Sequence, residues 1–326
     1  MKVGVVGAGF IGSVHLNAYA NMPGVEVVGV ADARPEAAAE GAALVGARAY
    51  PSYEEMVAAE DVEVVDVCLP TTMHREAALR AAREGRHLIL EKPIARTLED
   101  AEAIAEAFEG SAGRLFVGHV VRFFPEYAGI KRMIDAGDLG TVGVARTSRR
   151  SPFLTGWNDW YADLRASGGV LVDLVIHDFD FLRWCLGEVE RVFARGVAGR
   201  ELNRLDYALA TLRFESGAIA HVEGQWGYPG PFNYSVEVAG SRAMVTADSA
   251  EPAPIRLSGG PSGPGESPEV AGESPYRAEL EHFLHCIETG ERAIVEPEDA
   301  CEALRIGLAA AESARTGRPV SPGGRT

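Results

Sequence analysis

The opening segment constrains this chain most. An apolar run, Lys2–Val6, leads directly into Gly7-Ala8-Gly9-Phe10-Ile11-Gly12, and a helical pattern follows over Ile11–Asn21. A second strand-like run, Val25–Ala31, ends at Asp32, twenty residues beyond Gly12. A G-x-G-x-x-G string alone is weak evidence, because glycine-rich hexapeptides arise by chance. Set between a strand and a helix, with an acidic residue at that distance, it has the full context of a dinucleotide-binding turn. Gly7 permits the tight turn, Gly9 lets the main chain approach a pyrophosphate, and Gly12 lets helix and strand pack closely. Phe10 and Ile11 open the helix, whose first N–H groups and positive dipole end suit phosphate. Asp32 can accept from both ribose hydroxyls and repels a 2′-phosphate, which favours NAD; Arg34, two residues on, softens that preference and admits NADP.

The pattern continues as regular βα alternation to about residue 120. Ala37–Leu44, His74–Glu84 and Leu98–Phe108 are helical, the last behind the cap Thr97, and Val64–Leu69, His87–Leu90 and Arg114–Gly118 are apolar strands. Apolar strands alternating with helices imply a parallel sheet covered on both faces, a doubly wound Rossmann domain over residues 1–120. Residues 121–326 change character. A helix at Glu126–Ala136, a strand at Val142–Arg150 and a helix at Gly169–Leu186 precede strand-like runs at Arg191–Val197, Tyr207–Phe214, Ala218–Gln225, Tyr234–Ala239 and Ala243–Thr246. Glu215-Ser216-Gly217 and Gly240-Ser241 are hairpin turns. Ser258–Pro275 reads as a loop, and Tyr276–Glu288 and Pro297–Thr316 as helices. The second domain is therefore α+β, with a large, mostly antiparallel, open-faced sheet for substrate binding and oligomerisation, and the whole chain is α/β.

Composition narrows the partners. Forty-seven per cent of residues are apolar and 24% charged, with a net charge of −16. Such acidity repels phosphate backbones, so nucleic acid is not expected as a partner. No run approaches the roughly 18 apolar residues of a membrane helix, and the N-terminus lacks the features of a signal peptide. The four cysteines form no CxxC pair, which fits a reducing cytoplasm.

Two places carry chemistry. Glu91-Lys92-Pro93 ends a strand of the parallel sheet, and carboxyl ends of such strands face the ligand crevice. Asp173 and His177, four apart in a predicted helix, share one face of an otherwise apolar segment, Gly168–Asp180. An Asp and a His there are costly unless paired or used, and histidine suits reversible proton transfer near neutral pH. Metal ligation is the rival, since the same two residues with Asp180 could supply ligands.

The chain resembles the Gfo/Idh/MocA family of NAD(P)-dependent oxidoreductases, among them inositol and sugar dehydrogenases. The resemblance rests on GAGFIG, on Pro70-Thr71-Thr72-Met73-His74, on Glu91-Lys92-Pro93, on Gly118-His119-Val120-Val121-Arg122-Phe123-Phe124-Pro125, on GGVLVDLVIHDFD, and on the tail Ser313–Val320. Thr71 stands where the family often has Asn. The resemblance implies Lys92, Asp173 and His177 as the catalytic group, with no metal. It implies that His177 takes the proton of a substrate hydroxyl, Asp173 orients the imidazole, and Lys92 stabilises charge on the reacting oxygen. Cofactor contacts are then expected from Gly7, Gly9, Phe10, Ile11, Gly12, Asp32, Arg34, Thr71, His74, Glu91 and Lys92. Aromatic rings beside polar groups suit a sugar or cyclitol, so Trp157, Asp159 and Trp160, with Arg122 and Tyr234, are the expected substrate contacts. The expectation is an NAD-dependent dehydrogenase of a polyol or sugar, a homodimer or homotetramer through its C-terminal sheet. The rivals are an NAD-using glycosidase of the same family and a non-catalytic dinucleotide sensor, against which intact Lys92, Asp173 and His177 argue.

Overall fold

A computed structural model describes residues 1–199, 205–251, 255–259, 265–266 and 274–323. The chain clusters into two compact units. The first takes Met1–Phe123 and is completed by Gly156–Asn158, the helix Pro275–Thr289 and the segment running to Cys301. A boundary at residue 120 thus falls close to Phe123, but the C-terminal part is shared between the units. The reason is packing: Leu280, Phe283 and Leu284 join Val5, Leu16, Ile89 and Phe116 in one core.

In the first unit six parallel strands, β1 (Lys2–Val6), β2 (Glu26–Ala31), β3 (Arg48–Tyr50), β4 (Val64–Val67), β5 (His87–Glu91) and β6 (Leu115–Gly118), lie in the order β3-β2-β1-β4-β5-β6. This is the doubly wound arrangement, whose order reverses between β1 and β4 and opens a ligand crevice at the carboxyl ends there. β4 and β6 are buried throughout, as strands covered on both faces must be. Helices α1 (Phe10–Tyr19), α2 (Pro35–Val45), α3 (Tyr53–Ala59), α4 (His74–Arg83) and α5 (Leu98–Glu109) make the crossovers. The pair β3 and α3 was not expected from the sequence. β3 has only three residues, two of them exposed, and α3 is a short helix begun by Ser52, whose side chain accepts from Glu55 N.

In the second unit α6 (Pro125–Asp135), α7 (Leu164–Ser167) and α8 (Ile176–Leu186) accompany a sheet of β7 (Val142–Ser151), β8 (Val189–Gly199), β9 (Leu205–Phe214), β10 (Ile219–Trp226), β11 (Asn233–Gly240), β12 (Ala243–Asp248), β13 (Ile255–Gly259) and β14 (Gly265–Glu266). Among the described residues its order is β14-β13-β12-β11-β7-β10-β9-β8, antiparallel except where β7 runs beside β10. β13 and β14 occupy part of the segment read as a loop; its residues 260–264 and 267–273 lie outside the described set. β10 alternates buried and open positions, so one face packs inward and the other stays accessible. The C-terminal Ser-x-x-x-Gly-x-x-Val tail closes the β8 edge. Ser313 Oγ accepts from Ala194 N and donates to Arg318 O, Gly317 turns at φ +72°, and Val320 bridges Val192. No described helix is long and apolar enough to cross a membrane.

Candidate active site

The glycine turn is built as its sequence requires. Gly7 sits at φ +97°, and a Cβ there would lie 2.6 Å from Cys68 O; a Cβ at Gly12 would lie 1.9 Å from Gly7 O. Gly9 differs. It begins α1 in an extended conformation, and a Cβ on it would meet nothing nearer than the Arg34 guanidinium at 4.0 Å. α1 has no side-chain cap and no acid in its first turn, whereas α3 and α5 are capped by Ser52 and Thr97. Its leading N–H groups are thus left to a phosphate, beside open space that only a glycine leaves at this point. Phe10, at the start of the same helix, is 84% exposed. These residues fit a bound dinucleotide.

Asp32 follows β2 on the same carboxyl edge. Its Oδ2 accepts from Ala8 N and Arg34 Nη2, and its Oδ1 from Arg34 N and Nε, all between 2.8 and 3.0 Å. Partial burial raises its pKa, but the Arg34 and Ala8 hydrogen bonds outweigh this and hold the carboxyl below its ordinary range. A carboxylate offers about four acceptor positions, and the half-open Arg34 side chain takes two of those of Asp32.

The next two strands deliver the rest of this edge. Thr71 opens a 3₁₀ turn after β4 and is buried. His74 was expected to touch cofactor, yet it is fully buried, with Nδ1 2.9 Å from Pro93 O and Nε2 2.9 Å from Leu69 O. It ties the loop after β4 to the loop after β5, and burial lowers its pKa. Glu91 is likewise buried and its Oε2 accepts from Lys92 N at 3.0 Å, leaving Lys92 as the half-buried residue at the strand's end. Arg122, expected near substrate, is turned into the framework: its Nη1 bonds Ile294 O and Asp299 at 2.7 and 3.1 Å, and the residue is 2% exposed.

In the second unit Asp173 and His177 are not on one continuous α-helix. Gly168 and Gly169 turn at φ +77° and +70°, Val170–Leu174 form a π-turn in which Val175 N bonds Val170 O, and α8 begins at Ile176. The wider turn rests on β10 at Gly224, where a Cβ would lie 2.5 and 2.6 Å from Val175 and Val170. π-turns inside helices frequently mark functional sites. Asp173 is buried within this turn and His177, in the first turn of α8, is half-buried. The neighbouring Asp178 is committed elsewhere, to a buried ion pair with Arg149 at 2.7 and 3.3 Å. Asp173, His177 and Asp180 do not converge as a metal site; among the described residues the trio that does is His15, Asp66 and Cys68.

The expected substrate contacts separate. Trp157–Ala162 form a 3₁₀ turn with no buried residue; Trp157 is 48% exposed, Asp159 adopts φ +53°, and Trp160 stacks on Tyr161 at 4.1 Å. These side chains are not core packing. Tyr234 is: it donates to Glu126, meets Phe124 edge-on at 5.5 Å and carries the Arg149 guanidinium over its ring. Sequence reasoning missed the Arg149–Asp178 pair and the cluster of His15, Asp66 and Glu91. The available signal was a charge inside an apolar strand or helix.

Comparison with known proteins agrees with this architecture. Residues 1–119 match the model of an oxidoreductase family with an NAD-binding Rossmann fold, and residues 127–246 match the GFO/IDH/MocA C-terminal domain. The scyllo-inositol 2-dehydrogenase (NAD(+)) of Bacillus subtilis is 30% identical over 342 residues, covering 98% of this chain and 96% of that one. The myo-inositol 2-dehydrogenase of Thermotoga maritima is 29% identical and covers 98% of each. GenD2 from gentamicin A biosynthesis, solved with NAD, superposes with a TM-score of 0.87 at 25% identity over 98% of this chain and 96% of its own. With the glycine turn, Asp32 and Lys92 on one edge of a doubly wound sheet, these matches establish that the chain is an NAD-binding oxidoreductase belonging to the Gfo/Idh/MocA family.

Proposed function

We propose that the protein is a dehydrogenase acting on a secondary hydroxyl of a cyclitol, sugar or related polyol. The observation that carries the reading is the presence, in a chain similar over 98% of its length to inositol dehydrogenases, of Lys92 at the carboxyl end of β5 together with Asp173 and His177 at the π-turn. Bound NAD supplies the hydride acceptor. His177 removes the hydroxyl proton as general base, contributing on the order of 10²–10⁴ in rate. Asp173, buried in the turn, orients the imidazole and stabilises its charged form, as a carboxylate does in a Ser-His-Asp group. Lys92 hydrogen-bonds the reacting oxygen and stabilises negative charge developing there. Trp157, Asp159 and Trp160, on their open turn, offer ring faces to sugar CH groups and a carboxylate to hydroxyls.

The same reading makes the protein a cytoplasmic homo-oligomer. Its support is the outer face of β8, β9 and β10, where Phe193, Val197, Leu209 and Ile219 are each more than a third exposed. Apolar side chains gathered on one sheet face suit self-association. The test of function is a panel of inositols, sugars and sugar acids with NAD and NADP, followed by absorbance at 340 nm. NADH formation with a polyol is the expected result. Release of p-nitrophenol from a p-nitrophenyl glycoside without NADH would replace the reading with a glycosidase.

A further inference from the structure

In the first turn of α8, Asp178 follows His177 and is 0% exposed; its partner Arg149, from β7, is 2% exposed. The two make a fork. Arg149 Nε donates to Asp178 Oδ2 at 2.7 Å and Nη2 donates to Oδ1 at 3.3 Å, while Nη2 also donates to Tyr127 Oη at 3.2 Å. The guanidinium lies over the rings of Tyr234 and Tyr127, 5.5 and 5.9 Å from their centroids, and Tyr234 donates to Glu126. Side chains from α6, β7 and β11 therefore meet around one residue of α8, the neighbour of the proposed base.

The proposed chemistry gives these groups no role, and stability alone does not call for them: a well-packed apolar pair in place of a buried ion pair is often neutral or stabilising. The fork supplies direction instead. Phe181 meets Tyr127 edge-on at 4.8 Å, and Phe179 and Leu182 are fully buried. Apolar burial is non-directional, so these contacts oppose separation of α8 from its neighbours more than its rotation. Two N–H···O bonds to one carboxylate add geometric specificity. α8 needs it at this end, because it follows the wider π-turn Val170–Leu174 and has no side-chain cap. Successive helix residues stand roughly 100° apart on one backbone, so whatever turns Asp178 away from Arg149 also swings His177.

We propose that Arg149 and Asp178 are positioning residues for His177: their fork fixes the rotation and register of the first turn of α8, and so the place from which the imidazole reaches the substrate hydroxyl. The placement follows from the ion pair itself. Its consequence for turnover rests on the reading of His177 as general base.

The placement is tested without substrate. The chain holds eight histidines, and NMR of the full-length protein labelled with ring-¹³C histidine follows them, His177→Gln identifying the His177 signal by its loss. Arg149→Lys keeps the buried charge and removes the fork. It is expected to displace the His177 signal while leaving in place those of His87, in the first unit, and of His221, at an exposed position of β10 in the second. Arg149→Met combined with Asp178→Leu strands no charge; it is expected to melt within about 3 °C of the unmodified protein and to displace the same signal. A His177 signal unmoved by Arg149→Lys overturns the proposal, whether or not the double variant moves it, because the double variant alone would report only the lost charges. Movement of His221 together with His177 shows general loosening of the second unit and also overturns it. If Arg149→Lys fails to fold, the double variant carries the test, with His221 as its control. On a polyol that the unmodified protein oxidises, Arg149→Lys lowers kcat by about 10²-fold, the loss expected when a reacting group is displaced by about 1 Å, with the Kd for NAD unchanged. A displaced His177 signal with undiminished kcat removes the positioning role. The underlying reading fails separately, through undiminished kcat in His177→Ala.

Discussion

Gly9 and Gly12 make opposite predictions for the same substitution. Alanine at Gly12 would place its Cβ 1.9 Å from Gly7 O, so the main chain of the turn must move. Alanine at Gly9 finds open space, with φ −78° and ψ −159°, a conformation any residue adopts. Its stability change is small: a loss of a few tenths to 1 kcal/mol at the helix N-cap against a gain of about 0.4–1 kcal/mol from a stiffer unfolded chain. Binding is different, because the new methyl occupies the space a pyrophosphate needs. Each hydrogen bond to a charged group contributes about 1.5–3 kcal/mol, and about 1.4 kcal/mol is a factor of ten. Losing one such bond raises the Kd for NAD by about 10–150-fold. Calorimetric titration with NAD and thermal unfolding, run in parallel, separate the two effects. Gly9→Ala should melt within about 3 °C of the unmodified protein and bind poorly, whereas Gly12→Ala should melt well below it. Unchanged NAD affinity in Gly9→Ala would refute the assignment of this turn to the pyrophosphate.

Other outcomes follow from the same geometry. Because Arg34 takes three of the acceptor positions of Asp32, Arg34→Ala should free side-chain positions for a ribose, strengthening NAD binding and weakening NADP, while Asp32→Ala should narrow or reverse the NAD preference; dissociation constants for both cofactors decide this. The Asp32 pKa is depressed in the folded state, so its stabilising contribution is complete above about pH 4 and is lost as pH falls through the lowered value. The melting difference between the unmodified protein and Asp32→Asn should therefore close in strong acid. Asp178→Asn would strand the buried Arg149 charge and cost about 3–5 kcal/mol, read as a lower urea midpoint. His177→Ala should lower kcat by about 10²–10⁴-fold with the Kd for NAD unchanged, and equal loss of both would remove His177 from proton transfer. Light scattering at micromolar concentration should give a multiple of the chain mass, and Leu209→Glu should reduce it towards a monomer.

What could be read beforehand was whatever repeats at short range. The βα alternation, the glycine turn and its acidic residue at fixed distance, and the hairpin turn at Glu215–Gly217 are local patterns with local physical causes, and each corresponds to an element of the fold. What could not be read depends on which distant residues meet. The i, i+4 spacing of Asp173 and His177 implied one helix, but Gly224 on β10 makes room for a π-turn that no spacing within the helix reveals. Arg122, His74 and Tyr234 are polar residues in suggestive places, yet their partners, Ile294 O, the carbonyls of Leu69 and Pro93, and Glu126, lie elsewhere in the chain. Several motif residues prove to be framework for this reason. Gly118 approaches Glu91 so closely that a Cβ would lie 3.1 Å from its Oε1, and His74 holds the carbonyl of Pro93. Two of the segments that marked the family by resemblance, those holding His74 and Gly118, thus meet the backbone beside Lys92. A motif in this chain is as often the support of a reactive side chain as the side chain itself, and only the hydrogen-bond partners tell the two apart.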